Sequence, residues 1–159
     1  MKIDKSKLKV YGVFFLITGL VGGLSAFFTN MGMEDYRSAV KPPLTPPEIV
    51  FPIVWSVLFI LMAISAARVW FEDNSRLRNR AMIVYGLQLF FNFFWSILFF
   101  NFQAYGLAFI WIIGLWILIL LMVVRFYRLD KIAGLLQIPY LLWVAFAAYL
   151  NYGVWMLNR

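Results

Sequence analysis

Residues 105–124 read YGLAFIWIIGLWILILLMVV, twenty consecutive positions without an Asp, Glu, Lys, Arg or His. About 20 apolar residues wound as a helix are what the hydrocarbon of a bilayer demands. Inside lipid every backbone N–H and C=O must be satisfied, and a single span achieves this only as a helix. Working outward from this stretch, four others meet the same condition: 10–29, 49–67, 81–100 and 132–157. The last is long enough to tilt or to run past the membrane. No alternation of the outer-membrane barrel type is present. The chain therefore predicts an all-α membrane protein, a five-transmembrane-helix bundle forming a single domain over 1–159. Composition agrees: 64% of the 159 residues are hydrophobic and 13% charged, more apolar surface than a soluble domain of this size hides. Met1 to Lys9 is basic and runs into the first apolar stretch, as in a signal peptide. That stretch is long for one and lacks a clear small-residue cleavage site, so it is read as a retained span.

The charges lie between the apolar runs. The N-terminus, the second connection (71–80) and the fourth (125–131) share one side of the membrane. With the adjoining Arg68 they hold Lys2, Lys5, Lys7, Lys9, Arg68, Arg76, Arg78, Arg80, Arg125, Arg128 and Lys131, eleven in all. The other side holds three, Arg37, Lys41 and Arg159. Positive charge gathers on the cytoplasmic side, which predicts a cytoplasmic N-terminus and an external C-terminus in a cell membrane, bacterial by expectation. The net charge of +7 is thereby assigned to lipid headgroups rather than nucleic acid.

Cysteine and histidine are absent. Thiol nucleophiles, histidine bases and the usual haem and zinc ligands go with them, and no cofactor or metal site is expected. The spans carry no charge, which argues against ion pumps, proton-coupled export and voltage sensing. No internal repeat suggests an inverted-repeat transporter.

Three features remain. The long connection, 30–48, contains Pro42, Pro43, Pro46 and Pro47, four prolines in six positions. These fix φ and predict a stiff, extended segment, either a plain connector or a lid over a cavity mouth, with Thr45 as a candidate cap for the second helix. Trp70, Tyr127 and Trp155 suit membrane-interface belts. Deeper aromatics form helical stripes: Phe51, Trp55, Leu58, Phe59 and Met62 in the second span; Gln88, Phe91, Asn92, Trp95 and Phe99 in the third; Tyr140, Trp143, Ala147, Leu150 and Asn151 in the fifth. Each stripe by itself is explained by packing between helices. The amides Gln88, Asn92 and Asn151 must turn inward, as glue between helices or as orienting groups in a cavity for a hydrophobic ligand. Pro139 is expected to kink the fifth span. Gly19 with Gly23, and Ala63 with Ala67, allow close helix contact, within the bundle or between two copies.

In order and spacing, Lys41-Pro42 through Pro46-Pro47, PIVWSVLF at 52–59, QLFFNFFW at 88–95 and IPYLLWVAFAAYLN at 138–151 resemble the TspO/MBR family. Its members are the tryptophan-rich sensory proteins and the translocator protein, or peripheral benzodiazepine receptor. The resemblance covers nearly the whole chain. It implies a membrane receptor or sensor, often a homodimer, that binds tetrapyrroles such as protoporphyrin IX and haem-related porphyrins in a pocket closed by the first loop. It further implies light-dependent oxidative porphyrin breakdown in some bacterial members, carried by tryptophans that fall on Trp55 and Trp143. The implied pocket wall is Pro47, Phe51, Phe59, Asn92, Trp95, Ser96, Phe99, Tyr140 and Ala147. The alternative is passive transport of tetrapyrroles or other hydrophobic small molecules. The chain departs from the family pattern at Leu44, where a Trp is usual, and at Trp111, where an Asp is common; the latter implies a more apolar pocket. The sterol pattern of the fifth helix is not met, because six residues separate Tyr152 from Arg159.

Overall fold

The structure, a computed structural model, describes residues 4–159. Lys2, one of the eleven basic residues counted above, lies outside the described residues. Among the described residues, five helical stretches are long and apolar enough to cross a membrane. The chain runs α1 (Lys5–Ser38), α2 (Val50–Trp70), α3 (Ser75–Ser96), a π-helical turn (Ile97–Asn101), α4 (Tyr105–Leu129), a short α5 (Lys131–Leu135) and α6 (Ile138–Leu157). Side chains cap the starts that face water: Asp4 accepts from the Ser6 N–H, Asn74 from Leu77, and Asp130 from Ile132 and Ala133. Each cap satisfies an N–H that the first turn leaves unpaired.

Helices outrun the apolar stretches. α1 has 34 residues, about 51 Å at 1.5 Å per residue, against roughly 30 Å of hydrocarbon. Residues 30–38, expected in the connection, are helical, so the first loop begins at Ala39. Hydropathy marks where the membrane ends, and a polar, well-bonded helix continues past that point. For the same reason Phe71–Arg80 shrinks to a four-residue link before Ser75, and α4 runs on to Leu129.

The fifth span is two helices. Pro139 sits in the first turn of α6, where its missing N–H leaves nothing unbonded, so it starts a helix rather than kinking one. The break at Leu136–Gln137 is sealed by the buried Gln137 amide, which donates to Ser65 Oγ at 2.7 Å and Leu61 O at 3.2 Å. Beside it, Asp130 pairs with Arg68 at 2.8 Å. The proline loop is not uniformly extended either. It turns at Pro43–Leu44, with Leu44 at φ 68°, a left-handed conformation costing a leucine roughly 1–2 kcal/mol. Thr45 caps nothing; its Oγ1 donates to Pro42 O at 2.7 Å and closes that turn.

α1 packs on α2, α3 and the π turn, α3 on α4, and α6 chiefly on α4. Ala63 and Ala67 are fully buried inside the bundle. Gly19 and Gly23 are not used there, since a Cβ at either would meet nothing within 4 Å. With α2 leaning on α1 and α6 on α4, space is left among α1, α2, α3 and α6.

Candidate functional site

That space is a cavity of about 540 Å³, within the roughly 300–1,000 Å³ typical of small-molecule sites. α1 contributes Gly22, Ser25, Thr29, Met33 and Tyr36; α2 contributes Phe51, Trp55 and Phe59. α3 and the π turn add Asn92, Trp95, Ser96, Phe99 and Phe100, and α6 adds Trp143, Ala147 and Leu150. The rings form a continuous wall. Trp55 stands 5.8 Å from Phe59 and 6.4 Å from Trp95, and Trp95 stacks on Phe99 at 5.4 Å. Phe51 meets Trp143 edge-on at 6.0 Å.

The π turn follows from the packing of α1. One extra residue per turn widens the helix and puts both Phe99 and Phe100 on the cavity side. α1 passes so close that a Cβ on Gly32 would lie 2.2 Å from the Phe100 carbonyl oxygen. The Asn101 amide, 3.0 Å from Phe28 O, pins the same crossing.

Behind the aromatics a buried polar layer fixes their rotamers. Trp95 Nε1 donates to Asn151 Oδ1 at 3.0 Å, and Asn151 Nδ2 donates to Tyr105 O at 2.8 Å. Asn92 Nδ2 donates to Tyr140 Oη, which donates to Gln88 Oε1, both at 2.7 Å. These side chains tie α3 to α4 and α6; Trp95 and Asn92 reach the cavity, while Asn151, Tyr140 and Gln88 support it from behind. Two buried polar atoms of wall residues have no partner in the protein: Ser25 Oγ and Trp143 Nε1. A buried polar group without a partner costs roughly 1–3 kcal/mol, so a guest that shifts either side chain enough to reach it relieves that cost.

Among the described residues, the charged ones lining the cavity, Arg37 and Glu48, sit at its mouth. Arg37 grips Glu48 with three hydrogen bonds of 2.9–3.1 Å, and both residues line the rim with Ile49. The guanidinium holds the Glu48 carboxyl below its ordinary value. From there the proline loop is strapped across the end of α6. Asn158 Oδ1 accepts from the Val40 N–H at 2.9 Å, its Nδ2 donates to Val40 O at 2.8 Å, and Tyr149 Oη donates to Pro43 O at 2.9 Å.

Comparison with known proteins agrees with this architecture. The TspO/MBR family model matches residues 14–156. The chain belongs to the TspO/MBR family. It is 39% identical over 147 residues to the Tryptophan-rich protein TspO of Chlorobaculum tepidum, covering 90% of each chain. Protein CrtK of Rhodobacter capsulatus is 33% identical, over 95% of this chain and 94% of that one. The Translocator protein of Bos taurus is 31% identical, over 92% and 88%.

For a family member of this sequence, the structure places the expected residues in two layers. Phe51, Trp55, Phe59, Asn92, Trp95, Ser96, Phe99, Trp143 and Ala147 line one cavity. Gln88, Tyr140 and Asn151 are buried behind it. Pro47 is exposed and off the wall, because the strap's proline segment lies over α6 and only Glu48 and Ile49 reach the rim. Trp111 does not make the cavity more apolar. α4 contributes no wall residue; Trp111 stacks on Phe91 at 4.3 Å and donates to its carbonyl at 2.8 Å. Sequence reasoning missed the whole α1 wall. A signal was present: Thr18, Gly22, Ser25 and Thr29 recur at helical spacing in an otherwise uniformly apolar span.

Proposed function

We propose that this integral membrane protein is a tetrapyrrole receptor or sensor, holding a flat porphyrin such as protoporphyrin IX among Trp55, Trp95 and Trp143. One observation carries the reading: a cavity of about 540 Å³ walled by three indoles and four phenyl rings, with the unpartnered Ser25 Oγ and Trp143 Nε1 buried just behind its surface. A planar π system stacks on such faces, each good pair adding about 1 kcal/mol beyond area burial. Its carboxylates would remain at the rim, near Arg37. The positive-inside distribution supports a cytoplasmic N-terminus, and the open faces of Gly19 and Gly23 are compatible with a homodimer.

Titration of the purified protein with protoporphyrin IX tests the reading through quenching of tryptophan fluorescence. Saturable one-to-one quenching is expected, weakened at least tenfold by Ala147→Phe, which fills the cavity. Unsaturable quenching, or a filled-cavity variant that binds as well, overturns it.

A second reading is favoured by the indoles Trp55 and Trp143 facing the same hollow. Under illumination a bound porphyrin would be the reductant and dioxygen the oxidant, with the indoles positioning the ring and relaying electrons. No acid or base is required. Loss of the porphyrin absorption bands with growth of a product band supports turnover, and unchanged bands remove it. Passive transport is the alternative; no flux of porphyrin into sealed proteoliposomes would exclude it.

A further inference from the structure

At the opposite end of the bundle from the strap, Arg80, Arg125 and Arg128 converge with Leu77 on a second cavity, of about 140 Å³. Arg125 is held there by its Nη1, which donates to the Arg80 carbonyl at 3.0 Å. Two nearby arginines are occupied within the protein. Arg68 has Asp130 at 2.8 Å, and Arg78 donates to Trp70 O and Glu72 O with its guanidinium 5.3 Å from the Trp70 ring centroid. The three in the cavity differ from Arg68 in having no carboxylate, and Arg125 alone among them is held by a backbone carbonyl. Among the described residues the ion pairs are Arg37–Glu48 and Arg68–Asp130, so no carboxylate answers this trio. Like charges drawn together without a counter-ion repel, and guanidinium forks suit phosphate oxygens.

What lies along the membrane from this trio decides the kind of anion. On α3, Leu77, Ile83, Leu87 and Phe90 are exposed at helical spacing from Arg80. On α4, Val124, Leu121 and Ile117 are exposed along the span from Arg125. Two apolar stripes on the packed pair α3 and α4 therefore lead away from one cationic hollow. That is the shape of a phospholipid: headgroup phosphate at the end of the bundle, acyl chains against the span.

We infer that Arg80, Arg125 and Arg128 form a binding site for the phosphate of an anionic phospholipid, its chains lying along the outer faces of α3 and α4. This site is separate from the aromatic cavity and stands whether or not that cavity takes a porphyrin.

Native mass spectrometry of the detergent-purified full chain tests it with dioleoyl phosphatidylglycerol and dioleoyl phosphatidylcholine. The phosphatidylglycerol adduct is expected to outlast the phosphatidylcholine adduct, and to fall at least tenfold in Arg80→Gln/Arg128→Gln. Both side chains are exposed, so the fold is spared, which an unchanged lipid-free melting curve verifies. Lys5→Gln/Arg159→Gln, with the same loss of charge on exposed residues outside α3 and α4, should retain the adduct. Equal retention of both lipids, or equal loss in both double variants, overturns the site. Inorganic phosphate raising the melting temperature as much as phosphatidylglycerol at equal concentration overturns the assignment to lipid.

Discussion

Pro42 lies directly on Gly153. A side chain at position 153 would bring its Cβ to 2.4 Å from Pro42 Cβ and 2.5 Å from Pro42 Cγ. The strap thus rests on bare α6 backbone at one point, with the Asn158 and Tyr149 hydrogen bonds on either side. Gly153→Ala should lift it even though alanine is the better helix former by about 1 kcal/mol. Hydrogen exchange at residues 40–45 is expected to quicken several-fold while the middle of α6 stays protected. Unchanged exchange would mean that the loop accommodates the methyl group elsewhere.

Asn151 illustrates a residue that shapes the cavity from behind. Its Oδ1 accepts the Trp95 indole N–H and its Nδ2 donates to Tyr105 O. Asn151→Leu keeps the volume but orphans a buried donor and weakens the tie to α4, a loss of about 1–3 kcal/mol. A lower melting temperature is expected together with weaker porphyrin binding, because Trp95 loses the bond that fixes its ring. A variant that melts lower and binds unchanged would show that Trp95 is held by packing alone.

These two cases mark what the sequence made legible. Five uncharged stretches specified the bundle, since lipid leaves the backbone no other choice. Inward residues were legible on α3 and α6 because aromatics and amides recur together at helical spacing, and on α2 from its aromatic stripe alone. Whether Gln88 or Asn92 reached the cavity was not. Both lie on the same stripe, and the difference comes from Tyr140 standing between Gln88 and the hollow. The α1 wall hid in a span where nearly every residue is apolar. The strap's course depended on Gly153 and Asn158, distant in sequence and unremarkable within it.

The rim ion pair gives a pH dependence. Arg37 lowers the Glu48 carboxyl from its ordinary value near 4.5. A carboxyl depressed in the folded state contributes stability that is present above its unfolded value and lost as pH falls through the lowered one. The clasp should therefore be closed at neutral pH and open only in acid, below the ordinary carboxyl range. Porphyrin dissociation followed by fluorescence is expected to be flat from neutral pH down to the ordinary carboxyl value of 4.5 and to accelerate only below it. Glu48→Gln should dissociate at the fast rate throughout. A rate independent of pH in both proteins would detach the rim from ligand exchange.

Trp143→Phe separates holding from chemistry. The substitution keeps an aromatic face opposite Phe51 but removes the indole N–H, which has no partner in the protein. If the porphyrin uses that donor, affinity falls by roughly tenfold, the equivalent of about 1.4 kcal/mol. Light-driven loss of porphyrin absorbance, measured at saturating ligand, is expected to slow further. Unchanged photochemical loss with the porphyrin still bound would remove Trp143 from the electron path and leave it a positioning residue.

Gly32 tests whether the π turn is needed to build the site. α1 passes the Phe100 carbonyl at a distance only glycine permits, with a Cβ falling 2.2 Å from that oxygen. Neither atom is at the end of a flexible chain, so Gly32→Ala must push α1 away from the π turn or unwind the turn itself. Either response moves Phe99 and Phe100, which line the cavity, and strains the bond from the Asn101 amide to Phe28 O. Overpacking of this kind costs typically 1–3 kcal/mol. The variant should therefore melt several degrees lower and bind porphyrin more weakly, although no ligand would touch position 32. Gly23→Ala on the same helix, where a Cβ meets open space, should do neither. If the two variants behave alike, the crossing is softer than its geometry implies, and the cavity does not depend on the closeness of α1 to the π turn.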